Sequence, residues 1–255
     1  SERRQPISTA NGVTYNNLPI GSNASAISPA NSTDGATRLA INSHQPATGP
    51  VAWYEAHIQS GEGLNAMGGL FPGSATIGVG FNENIAWGAT VNKPDLVDVY
   101  VLDIDPEDPL RYRMDGQWHD LEVTELEIKV KLWGFLPWTA TELGLRSAHG
   151  PVLQTDHGTY AIRYAGMGQM RQVEQWLAMN KAQNLEQWRD ALRIHSFASF
   201  NFVYADRDSN IMFVHNSLTP MRVAGYDWTQ YLPGDDSSLI WQDYMDFDKL
   251  PQVIN

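Results

Sequence analysis

Between Ala24 and Ile104, short stretches of β-branched, apolar and aromatic residues alternate with Gly, Pro, Asn and Asp. This pattern predicts strands over residues 24–28, 37–43, 53–59, 75–81, 85–91 and 97–104. In Leu126–Leu132 apolar and charged residues alternate without a break, predicting a strand with one face in solvent. Residues 152–155 and 159–165 flank Asp156-His157-Gly158, a hairpin turn with glycine where positive φ is needed. Helical spacing comes later. Within 166–182, Met170, Val173, Trp176, Leu177 and Met179 fall near a 3.6-residue period, and 184–194 follows with Asn184 as its N-cap. Residues 196–216 then read as two strands around the turn Asp206-Arg207-Asp208-Ser209-Asn210. Strands, two helices and strands again predict a layered α+β fold rather than an alternating βαβ chain. Residues 1–21 are polar and aperiodic and read as a linker or processing segment.

Composition narrows the function. The 255 residues suit one large domain or two small ones, and 42% apolar with 18% charged residues is a globular mixture. No apolar run is long enough to span a membrane. The net charge of −12 argues against a nucleic-acid surface, which needs clustered cations. The absence of cysteine excludes disulfides, thiol catalysis and cysteine-ligated metals. The opening SERRQPISTANG has no apolar leader core and no initiator Met, so the chain reads as a piece of a longer polypeptide.

Familiar motifs are missing: there is no HExxH, GxxxxGK[ST] or GxSxG, and the seven histidines show no metal-ligand spacing. Gly78-Val79-Gly80 lacks the third glycine of a dinucleotide loop and reads as a strand constraint. Asp95-Leu96-Val97-Asp98 offers two carboxylates with a carbonyl between them, hard oxygen ligands that suit Ca²⁺. The acidic cluster Asp103, Asp105, Glu107 and Asp108 reads as a solvated loop. The segment that stands out is Gly21-Ser22-Asn23-Ala24, where a polar tail runs into a strand. A serine hydroxyl needs a base. Cleavage between Gly21 and Ser22 would supply one, an α-amine of reference pKa ≈ 7.7–8.0.

Several segments, in order, resemble the penicillin acylase family of N-terminal-nucleophile hydrolases, which includes penicillin, cephalosporin and acyl-homoserine-lactone acylases. They are Gly21-Ser22-Asn23-Ala24, Leu39-Ala40-Ile41-Asn42-Ser43-His44, Pro72-Gly73, Ile77-Gly78-Val79-Gly80-Phe81-Asn82, Ile85-Ala86-Trp87-Gly88-Ala89-Thr90, His149-Gly150-Pro151-Val152 and Asn201–Asp206. The resemblance covers essentially residues 18–235.

It implies a four-layer αββα sandwich with the nucleophile at a strand start. Residues 1–21 would be a spacer removed on maturation, and 22–255 the N-terminal part of the β-subunit. Ser22 would be the nucleophile, freed by autoproteolysis at Gly21–Ser22, and the backbone N–H of Val91 and the side-chain amide of Asn201 would receive the oxyanion. His44 would tune or orient the nucleophile, and Arg222 would support Asn201. The implied reaction is hydrolysis of a small N-acyl amide through an acyl-enzyme. It needs no cofactor, and some relatives hold a structural Ca²⁺ at the position of Asp95, Val97 and Asp98. The implied partner is an acylase α-subunit from the same precursor, the implied compartment is the periplasm, and with Gly21 still attached the chain would be an inactive zymogen. Ser25 and Gln45 replace bulky residues that relatives often carry, so acyl-group size does not transfer. The competing reading is a non-catalytic β-rich module binding carbohydrate or another ligand through its aromatic residues. A pseudoenzyme on the acylase fold is a third.

Overall fold

The structure, a computed structural model, describes residues 21–49 and 51–255. The expected spacer therefore lies outside the described residues, apart from Gly21. In chain order the strands are β1 (Gly21–Ile27), β2 (Arg38–His44), β3 (Tyr54–Ser60), β4 (Leu64–Leu70), β5 (Val79–Phe81), β6 (Ile85–Thr90) and β7 (Val97–Leu102). Next come β8 (Ile104–Asp105), β9 (Asp108–Met114), β10 (Gln117–Asp120), β11 (Glu122–Leu132), β12 (Leu136–Arg146), β13 (Pro151–Thr155) and β14 (Gly158–Tyr164). Helices α1 (Gln172–Lys181) and α2 (Leu185–Arg193) precede β15 (Ser199–Asp206), β16 (Ile211–Ser217), β17 (Leu232–Pro233) and β18 (Gln252–Ile254). The expected α+β order of strands, two helices and strands is present. The chain forms two compact units, where the sequence drew no boundary inside 22–255.

The first unit comprises the residues up to Pro94, Gln169–Ser217 and Asp246–Asn255. Its seven-stranded antiparallel sheet runs β18-β16-β15-β6-β5-β4-β3. Period-2 alternation splits β15 between two environments. Phe200, Phe202 and Tyr204 turn to the helices and meet Trp176 and Trp188, with ring centroids 5.1–6.2 Å apart. Asn201, Val203 and Ala205 turn the other way, where the β1–β2 hairpin lies across β6 and β15. Helix, sheet and hairpin thus give three layers.

Polar ties hold the helices to the sheet. Buried Asn180 on α1 accepts from Ile77 N at 2.7 Å and donates to Ile77 O at 2.9 Å. The Asn184 side chain caps α2 by accepting from Gln187 N, as its position predicts. Helix α1 starts six residues later than the apolar period suggests, because Gly166 and Gly168 hold φ of 85° and 80°. Strand β5 is shorter than the predicted 75–81, and β4, with two glycines and no alternation, has no signal in the sequence. The same glycines explain its pairing. A Cβ on Gly80 would stand 2.2 Å from Met67 O, so Gly78-Val79-Gly80 is a strand constraint, as expected.

The second unit comprises Asp95–Gly168 and Leu218–Met245. A six-stranded sheet, β11-β12-β13-β14-β7-β17, accompanies a three-stranded one, β10-β9-β8. Tyr100, Leu102, Tyr112, Leu121, Ala161, Leu232 and Leu239 form its core. The strand predicted at 126–132 is longer, Glu122–Leu132, and pairs along its length with β12. Its alternation predicted one covered face, yet every residue of β11 is exposed, because within the described residues nothing packs on the ribbon's apolar side.

Candidate active site

Ser22 is the second residue of β1, and its hydroxyl donates to the Gly21 carbonyl at 2.5 Å. The nucleophile candidate therefore already touches the peptide group it would attack. Alternation turns Ser22, Ala24 and Ala26, and on β2 Leu39, Ile41 and Ser43, toward the sheet, and all are less exposed than their neighbours between Asn23 and Ile27 and between Arg38 and Asn42.

Pairing within the layers gives matched steps. On the hairpin they are Ala26↔Leu39, Ala24↔Ile41 and Ser22↔Ser43; on the sheet, Ala86↔Ala205, Gly88↔Val203 and Thr90↔Asn201. Leu39 shares a surface depression with Ala86 and Ala205, and a Cβ on Gly88 would stand 3.2 Å from Ile41 Cδ1. Two residues further along each strand, the same stepping carries the Ser22↔Ser43 pair toward Thr90↔Asn201.

At that step three strands put polar side chains side by side. Asn201 Nδ2 donates to Thr90 Oγ1 at 3.2 Å and, at a long 3.4 Å, to the carbonyl of Val91. Its Oδ1 lies 2.9 Å from His215 Nδ1 on the paired position of β16. Val91, just past the end of β6, and Asn201, 110 residues later, are thus in direct contact, through the Val91 carbonyl and the Asn201 amide nitrogen. Thr90 entered the sequence reading only as the last residue of the Ile85–Thr90 segment, and His215 only as one of seven histidines. What joins them to Asn201 is the pairing register, which no local pattern carries.

His44 lies elsewhere on the hairpin. It pairs with Gly21, and its Nε2 accepts from the side-chain amides of Asn23 at 3.5 Å and Asn42 at 3.3 Å. Those asparagines are on the face away from the sheet, so His44 stands beside the Gly21 backbone rather than on the Ser22 side-chain face. A Cβ on Gly21 would meet its Nδ1 at 3.6 Å.

On the helix side of the sheet, a pocket of about 220 Å³ is walled by Phe71, Val173, Trp176, Phe197 and Phe200. Phe200 faces the helices while Asn201, the next residue on β15, faces the hairpin, so this pocket lies on the sheet face opposite the polar step.

Arg222, Asp95, Val97 and Asp98 belong to the second unit. Fully buried Asp98 accepts from Arg222 Nε at 2.9 Å and from Trp241 Nε1 at 2.6 Å, and Arg222 reaches Asp95 at 3.2 Å. The guanidinium also stacks 5.5 Å from the Trp228 ring. Asp98 Oδ1 is buried without a partner, a feature that would suit a cation. The rest does not fit Ca²⁺. The two carboxylates already share one positive group, far short of six to eight oxygen ligands, and no three His, Asp or Glu side chains converge on a metal position among the described residues. Here the cluster is an ion pair anchored by Arg222.

Comparison with known proteins adds an independent line. The sequence model of the family described as Penicillin amidase matches residues 2–255. The acyl-homoserine lactone acylase PvdQ of Pseudomonas fluorescens (strain Pf0-1) is 30% identical over 211 residues, covering 80% of this chain and 27% of that protein. The penicillin G acylase of Escherichia coli is 29% identical over 255 residues, covering 96% and 28%. Among solved structures, the thermostable penicillin G acylase from Alcaligenes faecalis superposes with a TM-score of 0.76 at 27% identity, covering 92% of this chain and 42% of that one. The chain thus spans about a quarter of the length of these curated relatives. No described helix is long and apolar enough to cross a membrane.

Proposed function

The chain belongs to the penicillin amidase family, and from that membership we propose that it carries the nucleophile and oxyanion donors of an N-acyl amide hydrolase. The observation that supports this most is the strand stepping that carries Ser22 toward Asn201, whose amide touches Val91.

In the first reaction Ser22 Oγ adds to the Gly21 carbonyl carbon. The Gly21–Ser22 C–N bond breaks, the nitrogen takes the hydroxyl proton, and an ester joins Gly21 to Ser22 Oγ. Water hydrolyses that ester, leaving a Gly21 carboxylate and Ser22 with a free α-amine. The hydroxyl already rests on the Gly21 carbonyl, which shortens the path to attack. His44, beside Gly21, steadies the strand at the cleavage point. Until this bond is cut the chain is a zymogen, because the base is tied up as an amide.

In turnover the α-amine, with a reference pKa of about 7.7–8.0, takes the Oγ proton as Oγ attacks the substrate carbonyl. Charge on the tetrahedral oxygen is received by Val91 N–H and by Asn201 Nδ2, which gives up its long contact with Val91 O. One such donor is worth roughly 3–4 kcal/mol. The amine then protonates the departing amine, and water, deprotonated by the same group, releases the acid from the Ser22 ester. No step involves a metal.

The family's four-layer αββα sandwich, an α-subunit partner and a periplasmic location complete the reading. Mass spectrometry of the complete gene product containing this chain, before and after incubation with a panel of acyl amides, tests it. Cleavage between Gly21 and Ser22, abolished by Ser22→Ala, and an acyl mass trapped on the Ser22 fragment are expected. An uncleaved, unacylated wild-type protein would favour the non-catalytic binding module instead; cleavage without acylation would favour the pseudoenzyme.

A further inference from the structure

We propose that His215 is a positioning residue for this reaction: its Nδ1–H holds Asn201 Oδ1, so that the amide nitrogen rather than the amide oxygen faces the Val91 step where the oxyanion forms. The inference rests on the proposed role of Asn201.

A primary amide has two faces of opposite polarity, and a flip exchanges a donor for an acceptor at the same place. Three groups surround Asn201 and differ in how strongly they fix the flip. Thr90 Oγ1, at 3.2 Å, can donate or accept and is indifferent. The Val91 carbonyl accepts only and favours Nδ2 on its side, but at 3.4 Å it holds weakly and is the contact that turnover releases. His215 Nδ1 lies at 2.9 Å, near the optimum for an N–H···O bond. Since Oδ1 can only accept, the ring proton sits on Nδ1. When the oxyanion draws Nδ2 away from Val91, His215 is the group still opposing the flip. Its donation to Oδ1 also polarises the amide and strengthens Nδ2 as a donor.

The backbone that carries the ring is itself held in place. His215 lies opposite Asn201 on β16, and its backbone N–H donates to Pro251 O at 2.9 Å. Without the imidazole, Oδ1 can turn toward the developing negative charge, where it repels.

The test uses the complete, matured gene product and an acyl amide that it turns over. His215→Leu should lower kcat on the order of 10–100-fold with KM within about 3-fold, because the lost interaction acts mainly in the transition state. His215→Asn, whose Nδ2 can stand where Nδ1 stood, should restore most of the rate, whereas His215→Gln should not. Asn201→Ala alone should cost about 10²–10³ in kcat, and adding His215→Leu to it should change little further.

Full activity in both His215→Leu and His215→Gln, with Asn201→Ala inactive, would overturn the positioning role and leave the oxyanion assignment standing. Full activity in Asn201→Ala would overturn the oxyanion assignment itself. An equal loss from His215→Leu in the wild-type and Asn201→Ala backgrounds would show that His215 acts independently of Asn201, which also refutes the proposal. If His215→Leu fails to fold, the Asn and Gln variants decide the question between them.

Discussion

His149 gives the second unit an acid-sensitive core. The ring is fully buried, 4.5 Å from the Tyr100 ring centroid and 6.4 Å from that of Tyr112, and neither ring nitrogen has a hydrogen-bond partner. Burial, and then the nearby Arg163 guanidinium, hold its pKa down at about 4, against 6.5 for a free histidine. Well above pH 6.5 the ring is neutral whether the chain is folded or not, and proton uptake takes nothing from stability. As pH falls below 6.5 the unfolded chain takes up a proton that the folded one refuses, so stability declines. The decline continues to about pH 4, where the folded protein protonates as well. A gap of that width is worth up to about 3 kcal/mol, a large part of a typical domain's stability. His149→Phe keeps the planar ring and removes both unpartnered nitrogens, so it should be close to neutral at about pH 7. Urea unfolding of both proteins, followed by tryptophan fluorescence from about pH 7 to about pH 4.5, isolates this group from every other titrating residue. The variant should overtake the wild type as pH falls, by about 1.4 kcal/mol per pH unit at most. A stability difference that stays constant over that range would refute the reasoning.

The remaining predictions concern stability and packing. Arg222→Ala strands the buried Asp98 carboxylate and should cost about 3–5 kcal/mol, read as a lower thermal midpoint. Arg222→Met with Asp98→Asn should recover part of that loss, because no charge remains buried. Gly80→Ala puts a Cβ 2.2 Å from Met67 O and should destabilise by about 1–3 kcal/mol or more, whereas Gly61→Ala, with nothing within 4 Å, should stay within about 0.5 kcal/mol; chemical denaturation of the two side by side checks the contrast.

The sequence by itself was enough for the α+β order, the Asn184 cap, the turn glycine at 158 and the ordered motifs that mark the family. These features are local: a cap, a turn or a strand alternation is set by residues a few positions apart, and its signature is written contiguously. Where local rules conflicted with context, the sequence misled. Strand β4 has no alternation because its glycines serve a neighbouring backbone rather than a core, and β11 alternates without a covered face. Pairing register and facing were decided only by the tertiary structure. Asn201 meets Val91, Thr90 and His215 because three strands align at one step. His44 turns away from the Ser22 side chain because a one-residue offset on β2 reverses the face. Arg222 finds Asp98 across 124 residues of chain. Hydrogen bonds between such distant positions depend on how layers stack, and that is a property of the folded whole that no short window of sequence contains.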